Sequence, residues 1–163
     1  MPVTILSSLL LAGVALPAAD AAAIEARVKQ IFRPYSLPSE PKAVWQIPVF
    51  SAETTALIAH WVKVQPRDEV DDLNDGDWFC LCQDWDRKKF RATPGPANLV
   101  GPDLAEVSVR VELGFDEPRN ERLVLKKEAN GWRVDDLFAD PEFAQGLKQA
   151  LRDTIRTDEA MKR

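Results

Sequence analysis

The sequence predicts an α+β fold in which helices pack on one face of a curved antiparallel sheet, and three observations carry that expectation. Between Ala105 and Leu113, the residues Val107, Val109, Val111 and Leu113 alternate with Glu106, Ser108, Arg110 and Glu112, the period of a strand with one dry face and one wet face. Asn130-Gly131 is a strong hairpin signal between Arg122–Lys127 and Trp132–Asp135, which completes a three-strand meander through the turn Asp116–Asn120. Phe143, Leu147, Leu151 and Ile155 then step by four, as one face of a helix does.

The other elements follow in chain order. Ile5–Pro17 is a short apolar run followed by Ala18-Ala19-Asp20-Ala21-Ala22, and Ala19-x-Ala21 suits a signal peptidase, so residues 1–21 read as a signal peptide. The run is shorter than the ~20 residues needed to span a bilayer, and no cysteine nearby offers a lipidation site. No Lys or Arg precedes it, which leaves an upstream start codon open. The expected address is the periplasm or outside the cell. From Ala22 to Phe32, the apolar residues Ile24, Val28, Ile31 and Phe32 share one helical face, and Pro34 ends the helix. Ser36–Pro48, with three prolines, reads as a tethered loop. Ser51 can N-cap a helix that runs to Val64, before Pro66.

Asp68–Asp77 is an acidic loop. A calcium loop opening at Asp71 would place Gly76 correctly at the sixth position, but it puts Leu73 and Cys82 where oxygen ligands are required, so a solvated turn is expected. Asp140-Pro141 reads as an N-cap followed by proline in the first helical turn, and residues 158–163 as a flexible tail. Residues 22–157 then form a single domain.

Composition narrows the function. The chain has 163 residues, with 21 Lys and Arg against 26 Asp and Glu, a net charge of −5. No basic field is present to hold nucleic acid or an anionic membrane.

Chemistry concentrates in Phe79-Cys80-Leu81-Cys82-Gln83-Asp84-Trp85-Asp86. On an extended strand, Cys80 and Cys82 would share a face with Cα atoms about 7 Å apart, at the limit for a disulfide, so a bridge needs a kink or bulge. Three readings stay open: a local disulfide, two buried thiols, or metal or redox chemistry. A metal would need His60 with Asp84 or Asp86 as further ligands. His60, the only histidine, reads more simply as a helix-flank residue. Asp84 could act as a base raised by Trp85 and Phe79, against the simpler reading that it or Gln83 caps a turn. No catalytic triad order, phosphate loop or paired zinc histidines is present, so no catalytic residue, metal or cofactor is assigned.

Arg33-Pro34-Tyr35, the Cys80–Trp85 segment and the hairpin Asn130-Gly131-Trp132-Arg133-Val134-Asp135-Asp136 together resemble a bacterial exported domain-of-unknown-function family, number 3828. That family is considered distantly similar to nuclear-transport-factor-2-like (SnoaL-like) domains. The resemblance implies a cystatin- or nuclear-transport-factor-2-like cone able to enclose a pocket, and it implies no activity. The expected function is a non-catalytic binding or accessory module of the envelope, with a toxin-neutralising immunity-type protein as its concrete variety. The alternative is a small-molecule or enzymatic pocket using Asp84, His60 and Tyr35. The candidate partner or ligand site is therefore Tyr35, His60, Cys80, Cys82, Gln83, Asp84 and Trp85. The partner would be a protein or a small ligand, and the polar sheet face (Glu106, Ser108, Arg110, Glu112) favours a monomer over a dimer.

Overall fold

A computed structural model describes residues 15–66, 70–71 and 73–162. Its elements are α1 (Ala18–Phe32), two short 3-10 turns (Arg33–Ser36 and Val44–Gln46), α2 (Ala52–Val64), β1 (Arg91–Pro94), β2 (Asn98–Leu99), β3 (Leu104–Glu112), β4 (Arg119–Glu128), β5 (Gly131–Phe138) and α3 (Leu147–Met161). The strands form an antiparallel sheet ordered β1-β3-β4-β5, with β2 also paired to β3. The architecture is α+β, as the patterning predicts. Val107, Val109, Val111, Leu123 and Leu125 are buried beneath the helices, while Ser108 and Arg110 are exposed on the opposite face. No helix among the described residues is long and apolar enough to cross a membrane.

Ser51 caps α2 as expected, accepting from Thr54 N. The expected hairpin also forms, with Gly131 at φ 100 where a side chain would be disfavoured. Residues 1–14, 67–69, 72 and 163 lie outside the described set, and with them most of the apolar run of the expected signal peptide and Asp68, Glu69 and Asp72 of the acidic loop.

Three local expectations differ from the structure. α1 begins at Ala18 rather than Ala22, and its Asp20 reaches Lys127 Nζ at 2.8 Å and Trp132 Nε1 at 3.1 Å. The final helix does not start at Asp140-Pro141, whose peptide bond is cis. Residues Ala139 and Phe143 bridge to each other across a turn, and the helix begins at Leu147. Its first turn is capped from the sheet, because Lys148 N donates to Asp136 Oδ1 at 3.0 Å. Phe143 keeps its place on the apolar stripe by packing from the turn rather than from the helix. At the other end α3 continues to Met161 with Asp158 buried, so helix covers much of the span read as a tail.

A β-bulge joins the layers. Leu125 pairs with Val134 and Val124 with Asp136, so Asp135 is the extra residue. Its carboxylate turns inward to accept from Ser51 Oγ at 2.7 Å and Lys148 Nζ at 3.1 Å, while Lys148 also meets Glu53 at 2.8 Å. Val49–Ser51 lies along the open edge of β5, with Ser51 N donating to Val134 O and Val134 N donating to Val49 O. The N-terminus of α2, the β5 edge and the start of α3 are thereby fixed to one another.

Candidate functional site

The loop between α2 and β1 is organised by two aspartates. Asp71 Oδ1 accepts from Leu73 N and Asn74 N, both at 2.8 Å, and its Oδ2 accepts from Trp61 Nε1 at 2.9 Å, which fastens the loop to α2. Trp78 Nε1 donates to Leu73 O at 2.7 Å, drawing its indole into the core. Asp77 then sets the next turn. Its Oδ1 accepts from the Tyr35 hydroxyl at 2.5 Å, from Phe79 N at 2.9 Å and from Cys80 N at 3.2 Å, while its own N–H donates to Cys82 O at 3.1 Å.

Cys80 and Cys82 are joined by a disulfide with their Cα atoms 5.1 Å apart. The kink that such a bridge requires is supplied by Leu81, the one described non-glycine residue at positive φ, 49°. A leucine in that region costs on the order of 1–3 kcal/mol and persists only where its surroundings hold it. Here the bridge, the Asp77 turn and the Arg119 guanidinium on the Leu81 carbonyl all do so. With the sulfurs bonded to each other, the thiolate and metal alternatives do not apply to this state. Among the described residues, no group of three His, Cys, Asp or Glu side chains could hold a metal ion.

Glu121 lies beneath this loop. It shares the inward face of β4 with Leu123 and Leu125, is 2% exposed, and neither of its carboxylate oxygens has a hydrogen-bond partner among the described residues. Burial, then the charge on Asp77, raises its pKa well above the ordinary glutamate range, against the pull of Arg119. Burial also raises the pKa of Asp77, opposed by the bonds from Tyr35, Cys80 and Phe79. Three donors on one oxygen favour the ionised form of Asp77, whereas Glu121 has no donor to offset its burial, so of the two its pKa is the more strongly raised. Burial and the neighbouring Asp77 keep the Tyr35 hydroxyl protonated and donating.

The residues expected at the site separate into two groups. Tyr35, Trp85, Cys80, Cys82 and Gln83 come together: Trp85 Nε1 donates to Tyr35 O at 2.7 Å, the two rings meet edge-on at 5.4 Å, and Gln83 Nε2 donates to Asp75 O at 3.0 Å. Asp84 is exposed and accepts from Trp85 N at 2.8 Å, the turn-capping role that was the simpler reading. His60 is elsewhere, on the outer side of α2, where Nε2 meets Glu159 Oε1 of α3 at 2.9 Å.

The space between sheet and helices is filled by aromatic side chains. Trp45, Trp61, Trp78, Phe50, Phe79, Phe32, Phe90, Tyr35 and Trp85 form a continuous chain of ring contacts between 4.9 and 6.4 Å. Concave space lies outside it, on either side of the clamped loop. One cleft of about 280 Å³ is lined by Asp75, Asp77, Leu81, Cys82, Gln83 and Glu142 among others. A second, of about 460 Å³, shares Asp75, Asp77, Cys82 and Gln83 and adds Trp45 and Trp85. A third, of about 330 Å³, runs from Tyr35 past Pro41 and Lys42 to Asp77. The loop, held by its hydrogen bonds and the bridge, thus separates open clefts.

Sequence reading missed Asp77, Glu121 and Arg119. Glu121 left a signal, since it is in phase with Leu123 and Leu125 and so is a charge at a core-facing position. Asp77 left none beyond its place in an acidic run.

No family model and no curated protein matches the chain. Among solved structures, it is similar to a chain of the type VI effector–immunity complex Tae3–Tai3 from Ralstonia pickettii, in its selenomethionine and native forms. Identity is 19% and the TM-score 0.48 in both cases, over 74% of this chain and 95% or 96% of the other.

Proposed function

We propose that this chain is an exported, non-catalytic protein-binding module of immunity type, docking on its partner through the clamped loop Leu73–Gln83. The observation that carries the reading is Leu81, held at positive φ between bonded cysteines in a loop whose residues line two adjoining clefts. A bridge around a single residue restrains little of the unfolded chain, so its effect is local shape. A loop fixed before contact loses little entropy on binding, which is how rigid inhibitory loops gain affinity. The disulfide also fits an oxidising compartment outside the cytosol. The resemblance to exported family 3828, drawn from Arg33-Pro34-Tyr35 and the Gly131–Asp136 hairpin, belongs to the same proposal.

The test is capture from the host envelope with the tagged full chain. A stoichiometric protein partner should be retained by wild type and by His60→Ala, and lost or strongly weakened in Cys80→Ser/Cys82→Ser. Equal retention by the cysteine variant, or loss in His60→Ala alone, would overturn the assignment of the loop as the docking element.

A further inference from the structure

We propose that the Cys80–Cys82 bridge is a reversible clasp, opened at Cys82 by a protein dithiol, and that its redox state sets whether the loop can hold its partner. The proposal rests on the docking role above and names what regulates the same loop.

Two observations make the bridge exchangeable, and the first is access. Cys80 is 0% exposed, so its sulfur is beyond the reach of an external thiolate while the fold is intact. Cys82 keeps 9% and is among the residues lining both adjoining clefts. Exchange in the folded chain therefore starts at Cys82. A thiolate of the dithiol attacks Cys82 Sγ, and the electron pair of the S–S bond leaves with Cys80 Sγ, which takes up a proton. The second thiolate of the reductant then displaces Cys82. The reductant ends as its disulfide and both cysteines end as thiols, the two electrons and two protons having come from the dithiol.

The second observation is the backbone. Leu81 at φ 49 lies where leucine is disfavoured, and the bridge draws the flanking Cα atoms to 5.1 Å, against about 7 Å in an extended stretch. Breaking the S–S bond lets Leu81 return to negative φ, so reduction relieves a cost that a bridge between relaxed residues does not carry. Bridges of that kind are the ones that exchange.

The change stays local because the chain is held on both sides of the bridge. Before it, Trp78 Nε1 donates to Leu73 O at 2.7 Å, and Phe79 is buried against the rings of Phe32 and Phe50. After it, Trp85 Nε1 donates to Tyr35 O at 2.7 Å and Asp86 N to Leu113 O at 2.8 Å. Residues 80–84 can change shape between these anchors while the sheet and helices stay in place. As Leu81 turns, its carbonyl moves off the Arg119 guanidinium, so the loop offers a partner a different surface in the two redox states.

The experiment places the full chain in buffers of set ratio of reduced to oxidised dithiothreitol, traps thiols with iodoacetamide for mass spectrometry, and records amide NMR spectra in parallel. The bridge should open with the β3–β5 amides unmoved and with shifts confined to residues 79–84 and Arg119. Leu81→Gly, which accepts positive φ without the side-chain clash, should need a ratio about fivefold or more higher to open. Folded Cys80→Ser should be alkylated at Cys82 about tenfold or more faster than folded Cys82→Ser is at Cys80. Partner capture should be lost on reduction and return on reoxidation. Opening only together with unfolding of the sheet, an unshifted ratio in Leu81→Gly, equal alkylation of the two single variants, or equal capture by the reduced and oxidised chains would each overturn the proposal. Where Leu81→Gly does not fold, the amide spectra of wild type and the alkylation rates decide. A bridge that resists dithiothreitol in a chain that still captures its partner removes this inference alone. Absence of any partner in both redox states removes the docking role instead, while the alkylation and redox measurements still decide the exchange.

Discussion

Replacing Glu121 by leucine should stabilise the protein. The side chain is 2% exposed and both oxygens lack a partner, a situation that costs about 1–3 kcal/mol in proteins even for an uncharged polar group. Leucine fills a similar volume and matches Leu123 and Leu125 on the same face of β4, so the substitution removes the cost without opening a cavity. At about 2–4 °C per kcal/mol for a domain of this size, Tm should rise by about 2–12 °C at neutral pH. The pH dependence has a definite sign. Because the folded-state pKa of Glu121 is raised, its favourable contribution is full below the unfolded value of about 4.3 and is lost as pH rises through the folded value. Leucine binds no proton, so the advantage of Glu121→Leu should be smallest near pH 4, grow with pH and level off above the folded pKa of Glu121. Urea unfolding of both proteins at pH 4.5, 6 and 8 measures this. A variant less stable than wild type at pH 8, or a difference independent of pH, would refute the description of Glu121 as a buried carboxyl without a partner.

Three further outcomes are expected. Cys80→Ser/Cys82→Ser should lose less than about 2 kcal/mol in urea unfolding, since the closed loop is minimal, while partner capture falls; a larger loss would make the bridge a global staple. Asp135→Ala should cost about 2–4 kcal/mol by the same assay, below the range for a fully stranded charge because Lys148 keeps Glu53. Gly146→Ala should cost about 1–3 kcal/mol in thermal unfolding, because Gly146 sits at φ 92 and a Cβ would lie 2.8 Å from Asp136 Oδ2 and 3.0 Å from Phe138 Cε1. An unaffected Tm would contradict that geometry.

The meander and the helices could be read from the chain because each has a dry face: Val107–Leu113 by twos, and Ile24–Phe32 and Leu147–Ile155 by threes and fours; β1 and β2, short and without a buried residue, could not. The start of α3 could not. Asp140-Pro141 satisfies the local rule for a helix start, and what overrides it is Asp136 of β5, 12 positions before Lys148 and brought to Lys148 N by the fold. The bulge at Asp135 was visible in principle, since the inward residues shift phase from Trp132 and Val134 to Leu137 and Ala139. At the site, composition singled out Cys80–Trp85, and a bridge around one intervening residue demanded the kink that Leu81 supplies. Asp77 was not distinguishable from its acidic neighbours, because its role depends on Tyr35, 42 positions earlier in the chain. His60 and Asp84 looked like partners only because both are titratable; the fold gives each a different neighbour, Glu159 and the Trp85 amide.

The knot formed by Ser51, Asp135 and Lys148 belongs to two helices and a strand at once. Neither α2 nor α3 can peel away alone without stranding a buried hydroxyl or charge, so fraying of one is penalised by the other two. Amide hydrogens of α2, β5 and the first turns of α3 should therefore exchange with solvent at one shared, slow rate, as a single cooperative unit.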